Sequence, residues 1–506
     1  MPRRRAEGPA TARKERCHVS SPLDKLEPRL VWKHFDAIRQ IPRPSKHEEK
    51  IAEHVVGWGT SRGLATKRDG VGNVLVKVPA TRGHEKAQVV VLQGHLDMVP
   101  EKNSDVAFDF EKDAIQVRVV GDYVYATGTT LGSDNGIGVA TAMAVAEDPK
   151  AVHGPLELLF TIDEETGLTG AMQLDPKLLT GRTMINLDTE EDAALYIGCA
   201  GGADTHATFT VTREDALPQT LPVRISVRGL RGGHSGVDIH ENRGNALKFL
   251  LRALAAVRSG GVEFGIVSIA GGSKHNAIPR EADAVVRIAA SSEGAVQAAV
   301  GDCARVLREE FGEIDPGQRL ECVTLEDRPD NRKVFIRFDN DRIVDALLAC
   351  PHGVLAMSRA VPGLVETSNN LAVVTTEGNA VKVVTSSRSS VMPSLKATTE
   401  QVGAAFRLGG AAVEQLDGYP GWKPNPSSPV LNCALKVFER DFGKKPAVKA
   451  IHAGLECGLI GEKYPGMDMV SMGPQIESPH SPDERVQIST VDKFYRLLTA
   501  TLKELA

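Results

Sequence analysis

Five stretches of the chain carry residue types that hold cations or move protons. Gly94-His95-Leu96-Asp97 closes the apolar run Val89 to Leu92. In α/β sheets functional groups collect at the carboxyl ends of strands, which makes His95 a candidate ligand. Asp97, two residues along the same extended segment, can accept the other imidazole proton and fix the tautomer. By itself a His-x-Asp pair is as readily a surface hydrogen bond. Gly128 to Gly136 (GTTLGSDNG) is a glycine-rich turn opening into a helix near Ile137. Asp134 stands at that helix start, where an Asp ordinarily caps, and where it bridges two cations if other ligands converge. Asp163-Glu164-Glu165 follows the apolar run Leu156 to Ile162, and Asp188 follows Met184 to Leu187 in the same way. Desolvated like charges at one sheet edge repel by roughly several kcal/mol, so a divalent metal is the simple counter-charge. A solvated acidic rim is the weaker reading, because His95 shares the arrangement. His480, in Ser478-Pro479-His480-Ser481-Pro482-Asp483-Glu484, depends on the fold to return it to this edge.

The elements that must position these groups are legible as patterns. Val31, Phe35 and Ile38 fall at i, i+4, i+7 and predict a helix; Ser45 with Glu48 three residues on is a capping-box pattern for a second. The runs Val74 to Val78, Val89 to Leu92, Leu156 to Ile162 and Met184 to Leu187 read as buried parallel strands, with helical stretches such as Gly138 to Glu147 between them. That alternation predicts an α/β domain, a largely parallel sheet covered by helices. From about 202 to 400 the strands become longer and more polar (Val223 to Val227, Ala284 to Ile288, Leu371 to Thr375), with amphipathic helices near 245 to 258 and 293 to 311. This predicts a second, α+β domain. Signals of the first kind resume with Met467 to Met472 and a final helix carrying Val491, Phe494, Leu498 and Leu502, so the second domain is inserted into the first. The expected division is a disordered basic tail over 1–24, the first domain over 25–201 and 401–506, and the insertion over 202–400.

Composition bounds the function. A chain of 506 residues is too long for one core, and 48 glycines with 42% apolar residues suit a globular α/β protein. A net charge of −5 gives no electrostatic reason to bind nucleic acid, so a small solute is the expected partner. The basic residues Arg3, Arg4, Arg5, Arg13, Lys14 and Arg16 precede no apolar segment, and Glu7 and Glu15 weigh against an organelle presequence; a short solvated tail is expected. Seven cysteines without a C-x-x-C pair suit a reducing compartment, hence a cytoplasmic protein, and leave any metal to His, Asp and Glu. No apolar run is long enough to span a membrane.

Taken together, LQGHLDMVP (92–100), GTTLGSDNGIG (128–138), GCAGG (198–202), GLRGGHSGVDIH (229–240), NAIPREA (276–282), IHAGLECG (451–458) and SPHSPDE (478–484) resemble the Xaa-His dipeptidases of the aminoacylase and carboxypeptidase G superfamily. The resemblance runs nearly end to end, outside about the first 25 residues. It implies that His95 and Asp188 bind one metal ion, Glu165 and His480 a second, and that Asp134 bridges both. Glu164 would be the general base and Asp97 the residue orienting His95. A cis peptide bond between Asp134 and Asn135 is also implied. The inserted domain would be a lid, in which His234 polarises the scissile carbonyl while Arg388 and Asn276 hold the peptide's terminal carboxylate or carbonyl. Gly454 would offer backbone to the amine end. On residue type alone His234, Asn276 and Arg388 read as structural; the motif context reverses that order. Three carboxylates and two imidazoles suit zinc first, then cobalt or manganese. The implied activity is hydrolysis of a dipeptide such as β-Ala-His, with a homodimer formed through the lids. An aminoacylase or tripeptide aminopeptidase on the same scaffold is the alternative. A non-catalytic metal-dependent scaffold would lack Glu164 or a ligand, and here the set is complete. Two positions depart from the pattern: Asp163, where a neutral residue such as Thr is expected, and Asn369-Asn370, where the first usually is apolar.

Overall fold

The computed structural model describes residues 21–506. Of the expected basic tail, residues 1–20 lie outside the described part. Residues 21–24 are not tail: Leu23 is buried in the core, and the Ser21 hydroxyl donates to Asp36 at 2.6 Å. One apolar side chain with a fitting hole ends the tail earlier than composition suggests. The first helix, Arg29–Ile38, buries Val31, Trp32, Phe35 and Ile38. The second, Glu49–Ser61, is present but starts three residues later than a Ser45 cap would place it, with Glu48 at the N-cap position and no capping box. Ser45 instead donates to Asp97 at 2.8 Å, and Glu48 accepts from the backbone of Lys46 and Asp163. A buried carboxylate is a stronger acceptor than a helix end is a donor, so the serine goes to the charge.

The first sheet has eight strands in the order Ala65–Arg68, Val74–Val78, Leu156–Thr161, Val90–His95, Thr183–Asn186, Asp468–Ser471, Ala194–Cys199, Ala447–Ile451. Its centre is parallel, from Leu156–Thr161 through Asp468–Ser471. Val74–Val78 is a correction: it runs antiparallel to Leu156–Thr161. Its run is apolar except for the exposed Lys77 and reports burial of most of both faces, which says nothing about direction. Register sets His95 opposite Thr161 and Gln93 opposite Asn186. The residues that leave these three strands therefore emerge at one edge.

The chain passes from Ala194–Cys199 into Gly201–Thr210, a strand of a second, nine-stranded sheet whose pairings are antiparallel. Helices Ala246–Ser259, Glu293–Phe311, Arg337–Ala349 and Met392–Leu408 supply apolar side chains to its core. The expected boundary at 400 falls inside Met392–Leu408, and the sheet closes with Ala412–Gln415 paired to Gly201–Thr210. A helix that packs on the inserted sheet cannot be divided by a change in composition alone. A third sheet pairs the hairpin Ile476–Glu477 and Arg485–Gln487 with Tyr123–Ala126 and Val117–Val120, and the tip of this hairpin carries His480. Among the described residues no helix is long and apolar enough to cross a membrane.

Helix Ser133–Glu147 is buried along nearly its whole length and bent at Asp134 and Asn135. The Asn135 amide donates to Leu187 O at 2.7 Å and lies against Gly94 and Gly138. A methyl group at Gly138 would come within 2.5 Å of Leu187 O and of Asn135. Gly138→Ala should therefore lose about 1–3 kcal/mol of stability by overpacking, read as a lowered Tm in calorimetry; an unchanged Tm would show that this contact is slack.

Candidate active site

Asp134 is not the helix cap that its position suggests. No side-chain bond caps this helix start, and the carboxylate is divided between two histidines instead. Oδ1 lies 3.1 Å from His95 Nε2, and Oδ2 lies 3.1 Å from His480 Nε2. Each imidazole has one further carboxylate: Asp188 is 3.3 Å from His95 Nε2, and Glu165 is 3.0 Å from His480 Nε2. Side chains from five places in the chain thus form two nitrogen–oxygen groups sharing Asp134. The Asp134–Asn135 peptide bond is cis.

Behind His95, Asp97 Oδ1 lies 3.2 Å from Nδ1, which leaves Nε2 facing the acids. Asp97 also accepts the backbone N–H groups of Glu164 and Glu165 at 3.0 and 3.2 Å. A single buried carboxylate therefore orients one ligand candidate and the loop bearing another. Burial alone would raise its pKa, but His95 and these donors bring it down to about 2. Burial would depress His95, yet Asp188, Asp134 and Asp97 override it and push the imidazole well above its usual range. His480 is pushed up to about 11 by its bonds to Asp134 and Glu165. Asp188 rises to about 6 through burial and the neighbouring Asp134 and Glu165, partly offset by His95. Burial, with Asp188, Glu165 and Glu456 close by, holds Glu164 well above the usual carboxylate range.

These donors fit metal ions. Two ligand atoms bound to one tetrahedral ion at 2.0–2.2 Å lie roughly 3.3 Å apart, and the four nitrogen–oxygen separations above are 3.0 to 3.3 Å. Glu165 Oε1 is buried with no hydrogen-bond partner, an acceptor that a bound cation would satisfy. His95, Asp134, Asp188, Glu165 and His480 can thus hold metal.

Several residues of this centre carried no isolated signal. Arg43, buried in a Pro-Arg-Pro turn, donates to Leu96 O at 2.8 Å, to Asp97 O at 2.6 Å and to Gly132 O. Glu484 accepts from the backbone of Leu131 (2.7 Å), Gly132 (3.0 Å), Ser133 (2.7 Å) and Asp134 (3.3 Å), and from the Ser133 hydroxyl at 2.6 Å. The loop that supplies His480 therefore also grips the loop that supplies Asp134. Glu456 and Glu190 stand beside the ligands: Glu456 beneath the sheet edge, Glu190 in the wall of a cavity of about 520 Å3 that also contains Glu164, Gly454 and His480. Glu456 and Glu484 lay inside motifs already noted; Arg43 and Glu190 had only their charge to single them out.

His234, Asn276 and Arg388 form a second group outside this cavity. Gly232 and Gly233, at φ 65° and 147°, turn the chain into the short pair Gly233–His234 with Ala277–Ile278. His234 Nδ1 accepts N–H groups from Gly236 at 3.2 Å and Val237 at 3.0 Å, so Nε2 carries the proton. Burial and then Arg388 lower its pKa and keep it neutral. Asn276 O accepts from Ser235 N–H at 2.8 Å. Asn370 holds the same turn by donating to Ala277 O at 2.8 Å, while Asn369, one of the two departures, donates to Pro351 O at 2.7 Å. Arg388 is buried and donates to the Tyr419 hydroxyl at 2.7 Å. Tyr419 also packs against Gly454, where a side chain would meet its ring at 2.8 Å, so this tyrosine joins the second group to the acidic cavity. Asp163, the other departure, turns its carboxylate to the hydroxyls of Thr166 and Thr169 rather than into the cavity.

A mixed sheet gathering imidazoles and carboxylates at its carboxyl edge, with an antiparallel domain inserted beside it, defines a two-domain hydrolase with a candidate metal site. The model of peptidase family M20/M25/M40 matches residues 91–504, and the chain belongs to that family. It is 42% identical over 485 residues to the cytosol non-specific dipeptidase of Escherichia coli (strain K12), covering 96% of this chain and 99% of that one. The crystal structure of aminoacylhistidine dipeptidase from Vibrio alginolyticus superposes with a TM-score of 0.90 at 43% identity, over 95% of this chain and 97% of that chain. The aminopeptidase PepT from Bacillus cereus ATCC 10987, at 16% identity and a TM-score of 0.55 over 95% and 99% of the two chains, shares the fold.

Glu484→Gln keeps the shape but removes the charge facing four backbone donors. It should lose about 1.5–3 kcal/mol, measured by denaturant unfolding of chelator-treated protein; a loss below about 0.5 kcal/mol, the size of an ordinary surface change, would mean the loop is held otherwise.

Proposed function

We propose that this chain is a cytoplasmic dipeptidase working with two divalent cations, zinc first and cobalt or manganese as substitutes, on dipeptides of the Xaa-His type such as β-Ala-His. The observation that carries the reading is the division of the Asp134 carboxylate between His95 and His480. The names of the two relatives above 40% identity support the substrate class and the cytosolic placement. His95 and Asp188 would hold one cation and Glu165 and His480 the other, with Asp134 placed between the two imidazoles to serve both. When bound, such a pair supplies Lewis acidity, lowering the pKa of a water and polarising the scissile carbonyl.

The chain's own residues do the rest. Glu164 takes a proton from the attacking water as its oxygen bonds to the carbonyl carbon. A carboxyl whose hold on a proton is strengthened by burial keeps that proton until the C–N bond breaks, and then passes it to the departing amine. Asp97 keeps His95 in one tautomer throughout. His234 has its Nε2 proton free to donate to the carbonyl oxygen as charge develops there. It stands outside the acidic cavity, so the inserted domain acts as a lid whose closure brings His234 to the substrate. Arg388 offers a fork to the terminal carboxylate, with Asn276 beside it and Gly454 backbone toward the amine end. Arg319–Thr324 is an edge strand of the inserted sheet, and an edge that a second copy could extend is what supports a homodimer through this domain.

A panel including β-Ala-His, Gly-His, a tripeptide and an N-acyl amino acid tests the reading. Hydrolysis of dipeptides that is abolished by a chelator and restored by zinc is expected; preference for the N-acyl amino acid or the tripeptide would assign the chain to an aminoacylase or a tripeptide aminopeptidase instead. Glu164→Ala should retain its cations by elemental analysis while kcat falls by about 10²-fold or more, whereas His480→Ala should lose bound cation. Full activity in the Glu164 variant would refute its role as base.

A further inference from the structure

Beyond the residues given roles above, the wall of the acidic cavity contains two more acids, Glu190 and Glu191. Glu191 is neutralised in place: its carboxylate pairs with Lys449 at 2.6 Å and accepts from the Tyr196 hydroxyl at 2.9 Å. Glu190 has no ion pair among the described residues, although its carboxylate comes within 4.8 Å of ligand atoms of both Asp134 and His480. Nor is it a loose surface side chain. Its carbonyl accepts from Ile476 N–H at 2.9 Å, and Asp192 N–H donates to the Gln475 side chain at 3.2 Å, which ties this segment to the hairpin carrying His480. Nearby, Glu165 keeps a buried oxygen with no partner directed at the same space.

The nearby His480 imidazole is already engaged by Asp134 and Glu165, and a wall carboxylate with no cation paired to it is a receptor for a positive charge that arrives from solution. A dipeptide is a zwitterion, and the two ends of this site are polarised to match. Arg388 lies outside the cavity, beyond Tyr419, and offers the anion receptor; Glu190 lies inside it, with Gly454 in the same wall. We propose that Glu190 receives the free ammonium group of the dipeptide and so makes an unblocked amino terminus a condition for binding. The proposal rests on the dipeptidase reading. It explains in physical terms how a site of this type would reject N-acylated substrates: an acyl amide presents no charge to Glu190 and leaves its half-buried carboxylate unanswered.

The test compares wild type, Glu190→Gln and Glu190→Asp in the zinc-loaded enzyme. Three quantities are measured: KM and kcat for Gly-His, KI for N-acetyl-Gly-His as a competitive inhibitor, and zinc per chain by elemental analysis. Losing one charged hydrogen bond corresponds to about 10–100-fold. Glu190→Gln should therefore raise KM for Gly-His by at least about 10-fold while leaving KI for the acetylated compound and the zinc content unchanged, with Glu190→Asp in between. An unchanged preference for the free amine overturns the proposal. So does a fall in zinc content, which would make Glu190 a metal ligand. Should wild type cleave no dipeptide at all, the dipeptidase reading itself fails and the proposal with it; cleavage by wild type with equal preference in both variants sinks the role of Glu190 alone.

Discussion

Buried carboxylates with too little positive charge around them are the constraint from which the rest of the structure follows. Asp134, Asp188, Glu164 and Glu165 converge at one sheet edge with two imidazoles, and electrostatic repulsion among them at low dielectric is worth several kcal/mol, roughly. Nothing in a folded chain brings such groups together for stability alone. The chain tolerates the arrangement by fixing each acid from behind. Asp97 is held by Ser45 and by two backbone N–H groups; Glu484 is held by five donors. Arg43 sets one guanidinium beneath the whole group, bonded to carbonyls of both the His95 and the Asp134 segments. With the surroundings rigid, the acids cannot relax apart, and a bound cation becomes the cheapest way to satisfy them.

A second polar layer lies under the first. Gln93 Nε2 donates to Glu456 at 2.5 Å, Thr161 donates to the same oxygen at 2.7 Å, and Asn186 Nδ2 donates to Gln93 Oε1 at 2.6 Å. Ser471 closes the line by bonding to Asn186. Each of Gln93, Thr161 and Asn186 precedes a ligand or the base by two to four positions on its strand, so the network sets the height of the strands relative to one another. Glu456 follows Gly454 by two residues and ties the substrate loop into the same layer. Its other oxygen has no partner, and burial pushes the carboxyl up to about 7. Substrate loop and ligand strands therefore cannot shift independently.

What the amino-acid order revealed and what it hid divide along physical lines. His95, Asp134, Glu165 and Asp188, which the fold brings together, each follow an apolar run or a glycine turn, and strand ends are where parallel sheets gather such groups; His480 has no such local signal and joins them only through the hairpin that carries it. The direction of Val74–Val78 was not legible, since burial of most of both faces erases the periodicity that would distinguish neighbours. Ser45 misled for a related reason. Its spacing to Glu48 satisfies a helix cap, and only the fold brings Asp97, 52 positions away, within its reach. Arg43 and Glu190 had no local pattern at all. Their meaning lies in which charges surround them, a property of assembly rather than of order.

The inserted domain adds a constraint that the sheet edge alone lacks. The acidic cavity ends at Gly454 and the anion-binding group begins at Arg388, and Tyr419 touches both, with its hydroxyl on the guanidinium and its ring against the glycine. Gly236 reinforces the junction, since a Cβ there would strike the His452 carbonyl and meet the Arg388 side chain at 3.2 Å. His452 in turn shares a hydrogen bond of 2.8 Å with Ser368 of the inserted sheet. The acidic edge, the Gly454 loop and the inserted domain are thus coupled through close approaches that leave no room for a side chain at 236 or 454. A side chain filling either gap would push the Tyr419–Arg388 pair away from the cavity walled by Glu164 and His480, so the small residues at 236 and 454 set the distance between the two groups.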